Sequence, residues 1–61
     1  MTAIKQLRKQ KGISQQELAA MINVTQAAIS QWELGSAKPT IENLVLLAKI
    51  FDCKVDDLIG K

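Results

Sequence analysis

QQELAAMINVTQAAISQWEL, residues Gln15 to Leu34, is the stretch on which the fold turns. It holds two short runs with apolar residues at helical spacing, separated by Asn23-Val24. In the first, from about Gln15 to Ile22, Leu18, Ala19 and Ile22 share one face. In the second, running to about Leu34, the buried face is Ala28 or Ile29 with Trp32. Ser14 with Glu17 three residues on forms a capping box: the hydroxyl accepts the Glu17 amide and the carboxylate returns to the Ser14 amide. Thr25 caps the second run. Asn23 between them tolerates positive φ, because its short polar side chain can bond locally.

Outward from this stretch, punctuation defines three more helices. Gly12, Gly35 and Gly60 each follow a helix-like run, and Pro39 sits in a loop. A first helix is predicted from about Ala3 to Lys11, with Thr2 as its cap, Ile4 and Leu7 as its apolar stripe and Gly12 at its end. Thr40 caps a fourth helix carrying Ile41, Leu44, Leu47, Ala48 and Phe51 on one stripe. A short fifth helix covers Val55 to Ile59, with Asp56 and Asp57 near its positive N-terminal end. No segment alternates as a strand would between turn signals. The chain therefore reads as all-α, a five-helix unit over residues 1–61 with the two central helices joined by a tight turn.

With 61 residues, the chain is long enough for one domain, whose stability is marginal because so small a fold buries only roughly 60% of its unfolded surface. Hydrophobic residues at 48% and charged residues at 23% fit a folded globule and exclude a disordered tail. One cysteine and no histidine exclude an internal disulfide and a Cys/His zinc site. No metal and no cofactor are expected. The polar N-terminus and short apolar runs speak against a signal peptide or membrane span, and Cys53 suits a reducing compartment, so a cytoplasmic protein is expected. Residues 1–38 carry a net +3 and residues 39–61 a net −1. The first part is the expected polyanion-facing side; an ordinary mixed surface is the alternative.

Two helices joined by a turn of about three residues are the core of a helix-turn-helix, although spacing alone also fits an unrelated helical bundle. The residue pattern goes further. Residues 15–34 resemble the helix-turn-helix of the phage repressor and Cro family, also called the XRE family. Leu7-Arg8-Lys9-Gln10-Lys11-Gly12-Ile13-Ser14 resembles the family's opening. Trp32-Glu33-Leu34-Gly35, Lys38-Pro39, Leu44-Val45-Leu46-Leu47-Ala48 and Val55-Asp56-Asp57-Leu58 follow in the family's order. The resemblance implies a lambda-repressor-like fold with the motif on the second and third helices. Asn23 departs from the glycine usual there.

It also implies a site. In the family the start of the third helix points into the major groove, which places Thr25, Gln26, Ala27, Ser30 and Gln31 at the bases. Gln26 can pair with adenine N6 and N7, and Ala27 can meet a thymine methyl. Thr25 and Ser30 can reach bases or phosphates. A simply solvated helix face is the alternative. By the same resemblance Gln15, at a helix N-terminus, bonds a phosphate and braces Gln26. Ser36 and Lys38 are further phosphate candidates, with loop solvation as the alternative. Arg8 and Glu33 are expected as a partly buried ion pair tying the first helix to the third, with Arg8 also a phosphate candidate. Cys53, where relatives usually carry Val, reads as a small core residue.

Family members usually bind pseudo-palindromic double-stranded DNA as dimers. Leu46 and Ile50, with Ile59, are the candidate surface for a homodimer or a partner; isolated exposed apolar residues are the alternative. The leading expectation is a sequence-specific DNA-binding regulator, a repressor. The second is an antitoxin-like or accessory protein-interaction module with DNA binding secondary. An enzyme is not expected: histidine and tyrosine are absent, the lone cysteine is expected to be buried, and a chain this short offers no pocket of useful volume.

Overall fold

Local signals start and stop each helix in the computed structural model, which describes residues 1–59. The order is α1 (Thr2–Lys11), α2 (Gln15–Met21), α3 (Gln26–Leu34), α4 (Ile41–Phe51) and α5 (Val55–Ile59). The Ser14 capping box is fully formed: its hydroxyl accepts from the Glu17 amide at 3.0 Å, and its own amide donates to Glu17 Oε1 at 2.8 Å. Thr25 and Thr40 cap α3 and α4 by accepting from the Ala28 and Asn43 amides at 3.1 and 3.2 Å. Gly12 and Gly35 end α1 and α3 in the left-handed region, at φ 76° and 87°. Gly60, expected to follow the last helix, lies outside the described residues.

The α2–α3 turn rests on Asn23, at φ 59°. The Val24 amide reaches back to the Ala19 carbonyl at 3.0 Å and closes the corner. Ala19 is buried there, so its small side chain lets the two helices approach.

α2 packs against α3, and α1 packs against α3, α4 and α5. At the centre, four helices each contribute one wholly buried side chain: Ile4, Leu18, Ile29 and Leu47. Ala19, Ile22, Trp32, Leu44, Ala48 and Leu58 complete the core. Burial of each large side chain contributes about 1.5–3 kcal/mol. Every helix thus depends on the others, and the outer face of α3 takes its direction from Ile29 and Trp32.

Three expectations are corrected. Thr2 does not cap α1; the helix starts one residue earlier than predicted, with Met1 as N-cap, because the Met1 carbonyl already accepts from the Ile4 amide at 3.2 Å. Ile41 leaves the core stripe and is 77% exposed. It sits on the first turn of α4, at the shoulder of the stripe, while Pro39 is buried in the approach. Cys53 is half-buried rather than a core residue. Burial still pushes its thiol pKa up, with the charges of Asp57 and Asp52 adding, so the thiolate is disfavoured.

The left-handed turn gives a direct check. Asn23→Ala should cost about 1 kcal/mol, since alanine has no local polar partner for positive φ. Asn23→Gly should cost nothing or stabilise slightly. Thermal denaturation of the two variants side by side measures the difference.

Candidate nucleic-acid interface

With Ile29 and Trp32 turned inward, a rotation of about 100° per residue carries Gln26, Ser30, Leu34, Ala27 and Gln31 across the outer face of α3. Thr25, Gln26, Ala27 and Gln31 are exposed, and Ser30 is half-buried. The Thr25 hydroxyl accepts from Ala28, so its O–H is left to donate outward. Leu34, not among the expected site residues, is 80% exposed in the middle of this face. A helical projection carried to the end of α3 would have found it.

Below this face one carboxylate gathers three helices. Arg8 of α1 donates to Glu33 of α3 through Nε to Oε2 at 2.7 Å and through Nη2 to Oε1 at 3.3 Å. Gln15, the first residue of α2, donates through Nε2 to the same Glu33 Oε1 at 2.9 Å. Gln15 Oε1 in turn accepts from Gln26 Nε2 at 3.4 Å. The Arg8 and Glu33 side chains are only 11% and 4% exposed. Burial alone raises the Glu33 pKa, but the hydrogen bonds from Arg8 and Gln15 and the charges of Arg8 and Lys5 outweigh it. Glu33 therefore titrates below the ordinary glutamate value and stays a carboxylate at neutral pH.

Arg8 also donates through Nη1 to the Ile13 carbonyl at 3.0 Å. Its guanidinium is thus committed to the fold, which leaves little of it for a phosphate. Lys5 and Lys9 stand beside it, exposed, and line a cleft of about 250 Å³ with Gln15 and Ser30. These two lysines were missed as site residues. Their spacing with Arg8 on one face of α1 was the available signal. Ser36 and Lys38 are exposed in the loop after α3, where the Ser36 hydroxyl makes a long bond of 3.4 Å to the Gln31 carbonyl.

The proposed association surface needs correction at one residue. Leu46 and Ile59 are exposed, but Ile50 is half-buried and packs against the core. It lies about 60° around α4 from the wholly buried Leu47, at the shoulder of the core stripe and not opposite it. The outward apolar residues of α4 are Ile41, Val45 and Leu46, interleaved with Glu42 and Lys49.

The family model described as helix-turn-helix matches residues 4–58. The chain belongs to this helix-turn-helix family. It is 38% identical over 57 residues to the HTH-type transcriptional activator BcrR of Enterococcus faecalis, covering 93% of this chain and 28% of that protein. It is 41% identical over 56 residues to repressor protein C2 of Salmonella phage P22, covering 92% of this chain and 26% of the repressor. It is 34% identical over 56 residues to the HTH-type transcriptional regulator AnsR of Bacillus subtilis, covering 92% and 48% respectively. The chain spans about half or less of the length of these relatives. No solved structure matches it. Among the described residues no helix is long and apolar enough to cross a membrane, and no cluster of side chains could hold a metal ion.

The buried pair in this helix-turn-helix domain fixes a pH dependence. A carboxylate whose pKa is lower folded than unfolded adds stability above its unfolded value, about 4.3, and loses it as pH falls through the folded value. Glu33→Gln should therefore lower Tm by roughly 10 °C at pH 7, for a loss of about 2 kcal/mol. The gap to the parent should close progressively below about pH 4. Thermal melts of both proteins across pH 2.5–7 (about four conditions) check the sign.

Proposed function

We propose that the chain is a sequence-specific reader of double-stranded DNA that represses transcription by occupying its operator, with α3 laid in the major groove. The observation that carries this reading is the outer face of α3. Gln26, Ala27 and Gln31 are exposed together on the helix of a helix-turn-helix, with Thr25 at its N-cap. Gln26 reads adenine by accepting from N6 and donating to N7, and Ala27 meets a thymine methyl. Thr25, Ser30 and Gln31 bond bases or nearby phosphates.

Phosphate contacts flank this face. Gln15 stands at the start of α2, and its Nε2 has a second hydrogen, beyond the one given to Glu33, to donate to a phosphate. Ser36 and Lys38 approach the backbone on the far side, and Lys5 and Lys9 take the phosphate role first given to Arg8. The resulting affinity is salt-dependent, because each neutralised phosphate releases a counterion.

One chain reads one half-site. Its backbone extends 24 Å along the longest principal axis, less than the roughly 34 Å between half-sites one helical turn apart. The proposal is therefore a homodimer on a pseudo-palindromic operator, in the cytoplasm. The outward face of α4 supports a second copy as the partner: laid antiparallel, Glu42 of each chain meets Lys49 of the other, across Val45 and Leu46.

Selection from a randomised duplex pool at two salt concentrations tests the reading. The expected outcome is an enriched pseudo-palindrome bound more weakly at high salt; a pool that stays unenriched at low salt would falsify it. Leu46→Glu should abolish cooperative filling of the two half-sites while leaving half-site affinity within about twofold, as read by gel shift. Unchanged cooperativity would remove the α4 face from the interface.

A further inference from the structure

We infer that Glu33 is a specificity-positioning residue: its carboxylate sets the direction of an amide chain through Gln15, so that Gln26 presents the pattern that fits adenine and rejects guanine. The inference rests on the proposed reading of DNA by α3 and adds to it a residue that never touches a base.

A side-chain amide has two chemically different ends that are alike in shape, so the half-buried Gln15 has two orientations to choose between. Here the choice is made by chemistry. Glu33 is ionised and accepts only, and its Oε1 takes a donor from Gln15 at 2.9 Å. Gln15 must therefore turn Nε2 toward Glu33 and Oε1 away from it. That oxygen faces Gln26, which has to meet it with Nε2, at 3.4 Å. Arg8, held on Glu33 at 2.7 Å and on the Ile13 carbonyl at 3.0 Å, keeps the carboxylate from rotating out of line. The chain runs one way only, from Gln26 through Gln15 to Glu33.

Its outer end then has a defined code. One hydrogen of Gln26 Nε2 is held by Gln15, leaving the second hydrogen and Oε1 for the base. One donor and one acceptor match adenine N7 and N6. Guanine presents two acceptors, N7 and O6, so Gln26 Oε1 would face O6 with no hydrogen between them. Turning the Gln26 amide over would place its oxygen against Gln15 Oε1. Turning both would place Gln15 Oε1 against the Glu33 carboxylate. While Gln26 stays on Gln15, each route to guanine ends with two acceptors in contact; the remaining route, swinging Gln26 free, gives up the 3.4 Å bond that holds it in place.

The test uses the operator selected with the parent protein. The position read by Gln26 is identified as the one whose preference is lost in Gln26→Ala, and affinities are compared for adenine and guanine there. The parent should prefer adenine by at least about tenfold. Gln15→Leu, which leaves the Arg8–Glu33 pair intact, and Glu33→Gln, measured at low temperature where circular dichroism shows it folded, should both cut that ratio to about twofold or less. Combining Gln15→Glu with Glu33→Gln moves the acceptor-only group to the middle of the chain, still facing Gln26, and should restore the adenine preference. A purely structural role for Glu33 would change affinity for both bases alike and give no such rescue. Folded single variants that keep the parent ratio, or a base other than adenine at the mapped position, would overturn the inference. A parent that enriches no sequence fails the DNA-reading proposal itself, so the two failures are distinct.

Discussion

The Arg8–Glu33 pair is the constraint around which this small fold is organised. Hydrophobic contact places α1 against α3, but it is non-directional and leaves sliding and rotation cheap. A guanidinium bound to a carboxylate through two nitrogens, 2.7 and 3.3 Å away, is directional. Desolvating two charges is expensive, and the pair persists because its remaining groups are also occupied: Glu33 takes Gln15, and Arg8 takes the Ile13 carbonyl. Such a pair adds little net stability over an apolar substitute. What it specifies here is relative position, since one carboxylate is gripped from α1 and from α2 while standing on α3. In a core whose described buried residues are all apolar, it is the principal polar register mark.

Where the backbone has a local reason to turn, that reason was readable in the residues. Ser14, Thr25 and Thr40 supply oxygen acceptors to free helix amides, Gly12 and Gly35 supply left-handed ends, and Asn23 supplies the tight corner; each acts within four residues of itself. The end of α4 was not readable in the same way. Asp52 adopts φ 54° there without glycine, and its amide and that of Cys53 bond back to Lys49 and Ala48. Many aspartates sit outside helix ends, so the residue alone does not announce the role. Ile41 shows the other limit. Periodicity assigns a face but not the reach of the core along the helix axis, and the first turn of α4 projects past it.

The site divides along similar lines. The outer face of α3 follows from its inner face, so Gln26, Ala27 and Gln31 could be placed from periodicity once Ile29 and Trp32 were set. The division of labour on α1 could not. Lys5, Arg8 and Lys9 are alike in charge and share a face, yet only Arg8 lies under the Gln15–Glu33 contact. A planar fork with five donors can close that network, whereas an ammonium cannot bridge both carboxylate oxygens and a carbonyl in one plane. The difference is one of side-chain geometry acting across three helices, which no linear spacing encodes.

If α3 reads DNA as proposed, stability and recognition meet at one atom. Glu33 Oε1 accepts from Arg8, which holds α1, and from Gln15, which bonds Gln26 of α3. On that proposal a substitution at Glu33 would alter both functions together, so loss of binding there would say little about which was lost. Gln15 separates them, because its removal opens the amide chain while Arg8 and Glu33 keep their contacts. The consequence for how such a domain changes its target is specific. Exposed residues of α3 can vary at small cost to the fold, since they pack against little. Reversing the direction of the amide chain requires a change at the residue that also anchors α1, in a domain with only a few kcal/mol (roughly 3–5) to lose. The orientation of Gln26 is thus far harder to change than its identity.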